Sequence, residues 1–151
     1  MQSTRLFIGL LLALALSGAF AADGPAPADF RGLKWGAAPT KSLKRVSGPT
    51  GSEKLSVWTT QTQNLPRYSG VPVAEESYLF ENNKLYSGQL YFDGADNLAK
   101  LKGALATQFG KPDFANNSLQ VFRWKWATSR VEVTLTFQSK FQRTTVSLTK
   151  E

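Results

Sequence analysis

Residues 92–112 read FDGADNLAKLKGALATQFGKP, and this run decides how the chain is laid out. Leu98, Leu101, Leu105 and Phe109 recur three and four residues apart, which puts them on one stripe of an α-helix. Asp93 or Asp96 is placed to cap its first turn, where free N–H groups need an acceptor. Gly110 suits the left-handed conformation that ends a helix, and Pro112 forbids continuation. Strand-like alternation lies on both sides, so the helix reads as a joint between two sheet-forming halves.

Downstream, the alternation is clear. Phe122, Trp124 and Trp126 share one side of a strand, and Val131, Val133, Leu135 and Phe137 share one side of the next. A turn centred on Thr128-Ser129 sets Trp126 opposite Val131, Trp124 opposite Val133 and Phe122 opposite Leu135. It also sets Lys125 opposite Glu132 on the outer face, a favourable cross-strand pair. A last strand, 141–150, adds Val146 and Leu148 to the inner face. Those aliphatic partners make the tryptophans core rather than a stacking platform for sugars or bases. Alternation also sends Arg123 and Lys125 away from the rings, which argues against nucleic acid.

Upstream, 73–81 and 85–93 form a hairpin through Asn82-Asn83, residues that tolerate tight-turn angles. A two-residue turn pairs Glu81 with Lys84 and gathers Val73, Leu79, Tyr86, Leu90 and Phe92 on one face. A one-residue slip gathers Tyr78, Phe80, Tyr86, Leu90 and Phe92 instead. The slipped register is favoured, because it leaves Glu75 and Ser77 outside. Gly88 marks a bulge or a close helix approach. Residues 54–62 read as a further strand and 63–72 as an irregular loop. Residues 38–46 read as a short helix, with Pro39 in its first turn, Leu43 and Val46 inward, and Gly48-Pro49 as its stop.

Each half then shows the same order, a helix followed by three strands, with the two Gly-Pro stops about sixty residues apart. The expected fold is α+β: a six-stranded antiparallel sheet with both helices on one face.

The N-terminus reads as an export signal. Arg5 is its positive end, Leu6–Leu16 its apolar run, and Ala19-Phe20-Ala21 its cleavage site. The run is about half the roughly 20 residues that a spanning helix needs. The expected organisation is a cleaved segment 1–21, a flexible Pro/Ala leader 22–29 and one domain over 30–151. Cleavage would leave 151 − 21 = 130 residues, soluble and periplasmic or secreted, with no membrane anchor.

Composition narrows the chemistry. There is no histidine and no cysteine, which removes triads, thiol nucleophiles, thiolate metal sites and disulfides. No phosphate-cradling glycine loop occurs, and Glu75-Glu76 are neighbours on a strand, so their side chains point to opposite faces. No catalytic residue, metal or cofactor is expected. A carboxylate-dependent hydrolase is the weakest of the readings. The net charge of +7 falls to 7 − 1 = +6 without Arg5 and favours acidic partners. Any binding site is expected on the outer face, at Arg123, Lys125, Arg130, Arg143 and Thr145.

The stretch from Trp35 to Pro49, WGAAPTKSLKRVSGP, preceded by FRGLKWG over 30–36, carries a resemblance. It resembles uncharacterised small exported bacterial proteins that begin F-x-G-x-x-W-G. In layout it is similar to the small lipoprotein of the outer-membrane β-barrel assembly machinery and to the β-lactamase-inhibitor protein. The specific part is about fifteen residues, and the chain lacks the lipoprotein's cysteine and the inhibitor's disulfides. The resemblance implies an envelope binding or assembly role without catalytic residues. The expected function is therefore a non-enzymatic module for a protein partner in the cell envelope. The alternative is an anionic glycan or lipid held on the basic outer face.

Overall fold

The computed structural model describes residues 22–46 and 54–151. The export segment 1–21 and the Gly48-Pro49 stop lie outside the described residues. Within them the chain runs β1 (Asp29–Phe30), β2 (Leu33–Lys34), β3 (Leu43–Val46), β4 (Leu55–Thr60), β5 (Glu75–Glu81) and β6 (Lys84–Asp93). It continues through α1 (Asp96–Phe109), β7 (Phe114–Asn116), β8 (Val121–Trp126), β9 (Val131–Gln138) and β10 (Arg143–Lys150). β1 and β2 make a two-residue ribbon. The other eight strands form one antiparallel sheet in the order β3-β4-β5-β6-β10-β9-β8-β7.

The order is that of two four-stranded meanders, β3–β6 and β7–β10, joined by α1. Their last strands pair in the centre, Leu90 opposite Val146, and their first strands form the two edges. The fold is therefore mostly β, with eight strands where six were expected and a single α-helix among the described residues.

The expected second helix is the main correction. Leu43–Val46 is an edge strand, with Leu43 opposite Thr60 and Val46 opposite Val57. A nine-residue helix is marginal alone. Pairing with β4 satisfies the backbone instead, and the exposed Lys44 and Arg45 suit a free edge.

One sheet face carries the core. Phe92, Leu90, Phe80, Tyr78, Val146, Leu148, Val133, Leu135 and Trp124 are all buried on it. Over the second meander lies α1, which buries Leu101, Leu105 and Phe109. Each such side chain contributes about 1.5–3 kcal/mol when removed from water. The Phe109 ring meets Trp126 edge-on at 5.0 Å. Trp124 Nε1 donates to the Gly110 carbonyl at 2.8 Å, and the helix stops at Gly110 as its sequence predicts, though with φ 81° and ψ −163° rather than in the left-handed helical conformation. Neither Asp93 nor Asp96 caps the first turn through its side chain. The N-cap is Ala95, and Asn97 instead donates to the Asp93 carbonyl.

Among the described residues no helix lies over the first meander. Residues 22–37, including those read as a leader, cross the sheet as a strap. Gly24 N–H donates to Phe109 O at 3.3 Å, Trp126 Nε1 donates to Gly24 O at 2.7 Å, and Gly36 N–H donates to Leu85 O at 2.9 Å. Phe30 is buried, edge-on to Tyr78 at 4.9 Å. A Cβ at Gly88 would lie 2.2 Å from its ring, so Gly88 admits the strap rather than a helix.

The hairpin combines the two alternative registers. Asn82 and Asn83, with φ 50° and 61°, make the two-residue turn, and Glu81 faces Lys84. A bulge then leaves Tyr86 extra, so Leu79 faces Ser87 and Tyr78 faces Gly88. Tyr78, Phe80, Leu90 and Phe92 are thereby inside, as the slipped register has it. Leu85 is buried in the place that either register gave to Tyr86.

Candidate functional site

Among the described residues two places carry chemistry: the sheet face that they leave uncovered and the cleft beneath the strap. The uncovered face is read off the register. One row crosses all eight strands: Lys44, Thr59, Ser77, Gln89, Ser147, Thr134, Arg123 and Phe114. Short hydroxyl and amide side chains fill its middle and are half-buried by their neighbours. The next row carries Val46, Val57 and Leu79 toward the β3 edge.

The residues expected to bind lie in different parts of this face. Lys125 sits opposite Glu132 and Trp126 opposite Val131, as the sequence predicts. Arg123 lies at 3.0 Å from Asp113 and 3.9 Å from Glu132, and also over the Phe114 ring. Lys125 reaches Glu151 at 3.2 Å rather than Glu132. Arg143 holds Glu75 at 3.1 Å and lies 4.0 Å from Asp93. Thr145 is buried mid-face between Tyr91 and Thr136. Arg130 is exposed with φ 53° in the β8–β9 turn, off the face.

Arg143 and Arg123 are two strands and four residues apart, roughly 16 Å by ideal sheet spacing. That is about twice the Debye length at physiological salt. These cations are thus neither one patch nor unmatched.

Sequence reasoning did not anticipate the second place. Glu76 points inward from β5, opposite in direction to Glu75, and is only 5 % exposed. Arg31 Nε donates to its Oε2 at 2.9 Å, and the Tyr78 hydroxyl donates to Oε1 at 3.0 Å. Arg31 also donates through Nη2 to Pro66 O at 2.7 Å and through Nη1 to Arg67 O at 3.5 Å. One side chain therefore ties the strap to β5 and to the β4–β5 loop.

Arg31 and Gly32 are the two central residues of the β1–β2 turn, both at positive φ, 56° and 84°. Asparagine or glycine is the usual first residue of such a turn. Arginine there has a backbone cost, offset by what its head group holds. The signal in the sequence is strand alternation: Glu76 falls in phase with Tyr78 and Phe80.

Burial pushes the Tyr78 phenol well above its ordinary range, Glu76 pushes it the same way, and Arg31 opposes. Burial pushes Tyr68 up to about 12, again against Arg31. Both phenols are therefore neutral near pH 7, and Tyr78 acts as a donor. Three clefts border Arg31. The largest, about 380 Å³, runs between the strap, Tyr68 and the end of α1. Another, about 350 Å³, is lined by Arg31, Thr60, Thr62, Pro66, Glu76 and Tyr78.

Among the described residues, no group of three or more His, Cys, Asp or Glu side chains could hold a metal ion. No helix among them is long and apolar enough to cross a membrane. Comparison with protein-family models, with curated proteins and with solved structures finds no match for this chain.

Proposed function

We propose that the chain is an exported, non-enzymatic binding module that receives a protein partner on the uncovered face of its sheet. The observation that carries this reading is an eight-stranded sheet that the described residues cover on one side only, its other side tiled with hydroxyl and amide side chains. Seven inter-strand gaps span roughly 34 Å, and the eight strands average 52/8 = 6.5 residues, about 22 Å. The product, roughly 750 Å², is close to what one partner contributes to a standard protein–protein interface. Adaptable hydroxyl and amide groups beside the half-exposed Tyr91 have the chemistry of a wet, specific interface. The leucine-rich segment after Arg5 supports export, and with it a partner in the cell envelope.

The matched cations favour a protein over an anionic glycan or lipid. Arg123, Lys125 and Arg143 each already face a carboxylate, so a polyanion would have to displace acids to gain them. The test is affinity capture from envelope extract with the wild-type chain and with a Gln89→Arg/Ser147→Arg variant. The expected result is a partner held by the wild type, lost by the variant, and protecting β5, β6 and β10 from hydrogen exchange once purified. Capture indifferent to the variant, or binding that salt abolishes on anionic liposomes alone, would overturn the reading.

A further inference from the structure

The first meander leaves room beside the strap, and Arg31, Thr60, Thr62, Glu76 and Tyr78 bring polar groups to a wall that is otherwise mostly apolar. The 350 Å³ cleft is at the small end of ligand pockets, which run about 300–1,000 Å³. A neighbouring cleft of about 230 Å³ shares Arg31 and Tyr78 and adds Thr40 and Ser42.

The Arg31–Glu76 pair has capacity left over. A guanidinium carries five N–H donors, and three are used here, leaving 5 − 3 = 2. A carboxylate offers about four acceptor sites. Arg31 Nε and the Tyr78 hydroxyl take two of them. Donor and acceptor groups with free valence thus stand side by side, fixed by strap and sheet.

We infer that this cleft is a binding site for a small, neutral, polyhydroxylated ligand, a saccharide of one or two rings. A vicinal diol presents a donor and an acceptor side by side, which complements the pair without breaking it. A charged ligand has no such fit. Glu76 already neutralises Arg31, so an anion must displace a buried carboxylate and a cation must displace a guanidinium held by three hydrogen bonds, each at a cost. The Thr60 and Thr62 hydroxyls supply further partners, and the Pro66 ring supplies an apolar wall for the C–H side of a sugar ring. The unusual arginine at a turn position that favours asparagine fits the same role, because only a long, forked donor reaches Glu76 from the strap.

The site lies on the face opposite the proposed protein interface, so the two readings stand or fall separately. The experiment is NMR titration of the chain, following the Arg31 Nε–H resonance, with maltose and methyl N-acetylglucosaminide as probes and glucuronate as the charged comparator. Saturable shifts with a Kd in the millimolar range for at least one neutral sugar are expected, and binding of glucuronate at least about fivefold weaker. Thr62→Trp, a change at an exposed rim residue, is expected to abolish the shifts while leaving the melting temperature unchanged. Glu76→Gln is expected to weaken binding about tenfold. If that variant fails to fold, Thr62→Trp decides alone. The outer-face variant Gln89→Arg/Ser147→Arg should bind sugar as the wild type does. Silence of Arg31 toward both sugars, glucuronate binding as tightly as either, or indifference to Thr62→Trp would each overturn the site.

Discussion

The two meanders use the same sheet and are closed in opposite ways. The second, β7–β10, is closed by α1, which buries Leu101, Leu105 and Phe109, the last against Trp124 and Trp126, whose indole N–H groups both end on backbone carbonyls. The first, β3–β6, is closed by a strap and a loop held through Arg31, Glu76 and Tyr78. Hydrophobic closure is strong, and its cleft lies only at the end of α1, where the strap meets Gln108 and Phe109. Polar closure is weaker per contact, depends on every partner being present, and leaves space that can be used. The helix half is thus the stability reservoir, and the strap half is where a ligand or a conformational change can act.

Truncating an indole in each half sharpens that contrast most. Trp124→Ala removes a fully buried ring and its bond to Gly110, and should cost about 3–5 kcal/mol in chemical denaturation. Trp58→Ala, at a half-buried ring in the strap half, should cost about 1–2 kcal/mol. Equal losses would erase the distinction. The polar lock comes next. Glu76→Leu strands Arg31 and should cost about 3 kcal/mol, whereas Arg31→Met/Glu76→Leu should recover most of it. A double variant no better than the single would mean that the pair acts through its hydrogen bonds to the loop, not through its charge.

The dry half was the legible half. The stripe from Leu98 to Phe109 has one period and one solution, and Gly110 ends it as expected. The β8–β9 register followed from alternating aromatics whose opposites are all aliphatic. In the strap half local patterns misled. Leu43 and Val46, three apart, satisfy a helix as well as two successive sheet faces, and only the pairing with β4 decides between them. The hairpin register was ambiguous because a bulge at Tyr86 makes each alternative right over part of its length. Of the site, the opposed directions of Glu75 and Glu76 were readable from alternation. Arg31 was not, since its partner lies 45 residues away and nothing local announces it.

Alkaline pH should find the same weak side. Burial raises the folded pKa of Tyr68 to about 12, above the roughly 10 of an unfolded tyrosine. Below pH 10 the residue is protonated in both states and its contribution is fully present. From pH 10 to about 12 the unfolded chain releases the proton and the folded chain does not, so stability falls by about 2–3 kcal/mol. Tyr78 shifts in the same direction and extends the fall beyond that window. Denaturation curves across pH 9–12 should show this slope, and Tyr68→Phe should flatten it. A flat wild-type profile would mean that the phenol reaches water by local opening of the strap.

Glycine-to-alanine changes give the smallest effects and the most direct reading of how each cover is seated. At Gly88 a Cβ would meet the Phe30 ring at 2.2 Å, so Gly88→Ala must push the strap outward and should cost about 1–2 kcal/mol. In a Phe30→Leu background the cost should shrink by about 1 kcal/mol, because the two changes share one contact. At Gly103, on the exposed side of α1, a Cβ meets nothing within 4 Å. Gly103→Ala should therefore stabilise by about 0.5–1 kcal/mol through helix propensity alone. Opposite signs at the two positions would place the packing constraint on the strap side. A stabilising Gly88→Ala would mean that Phe30 is not wedged against β6 in solution, and that the strap is a loose cover rather than a lock.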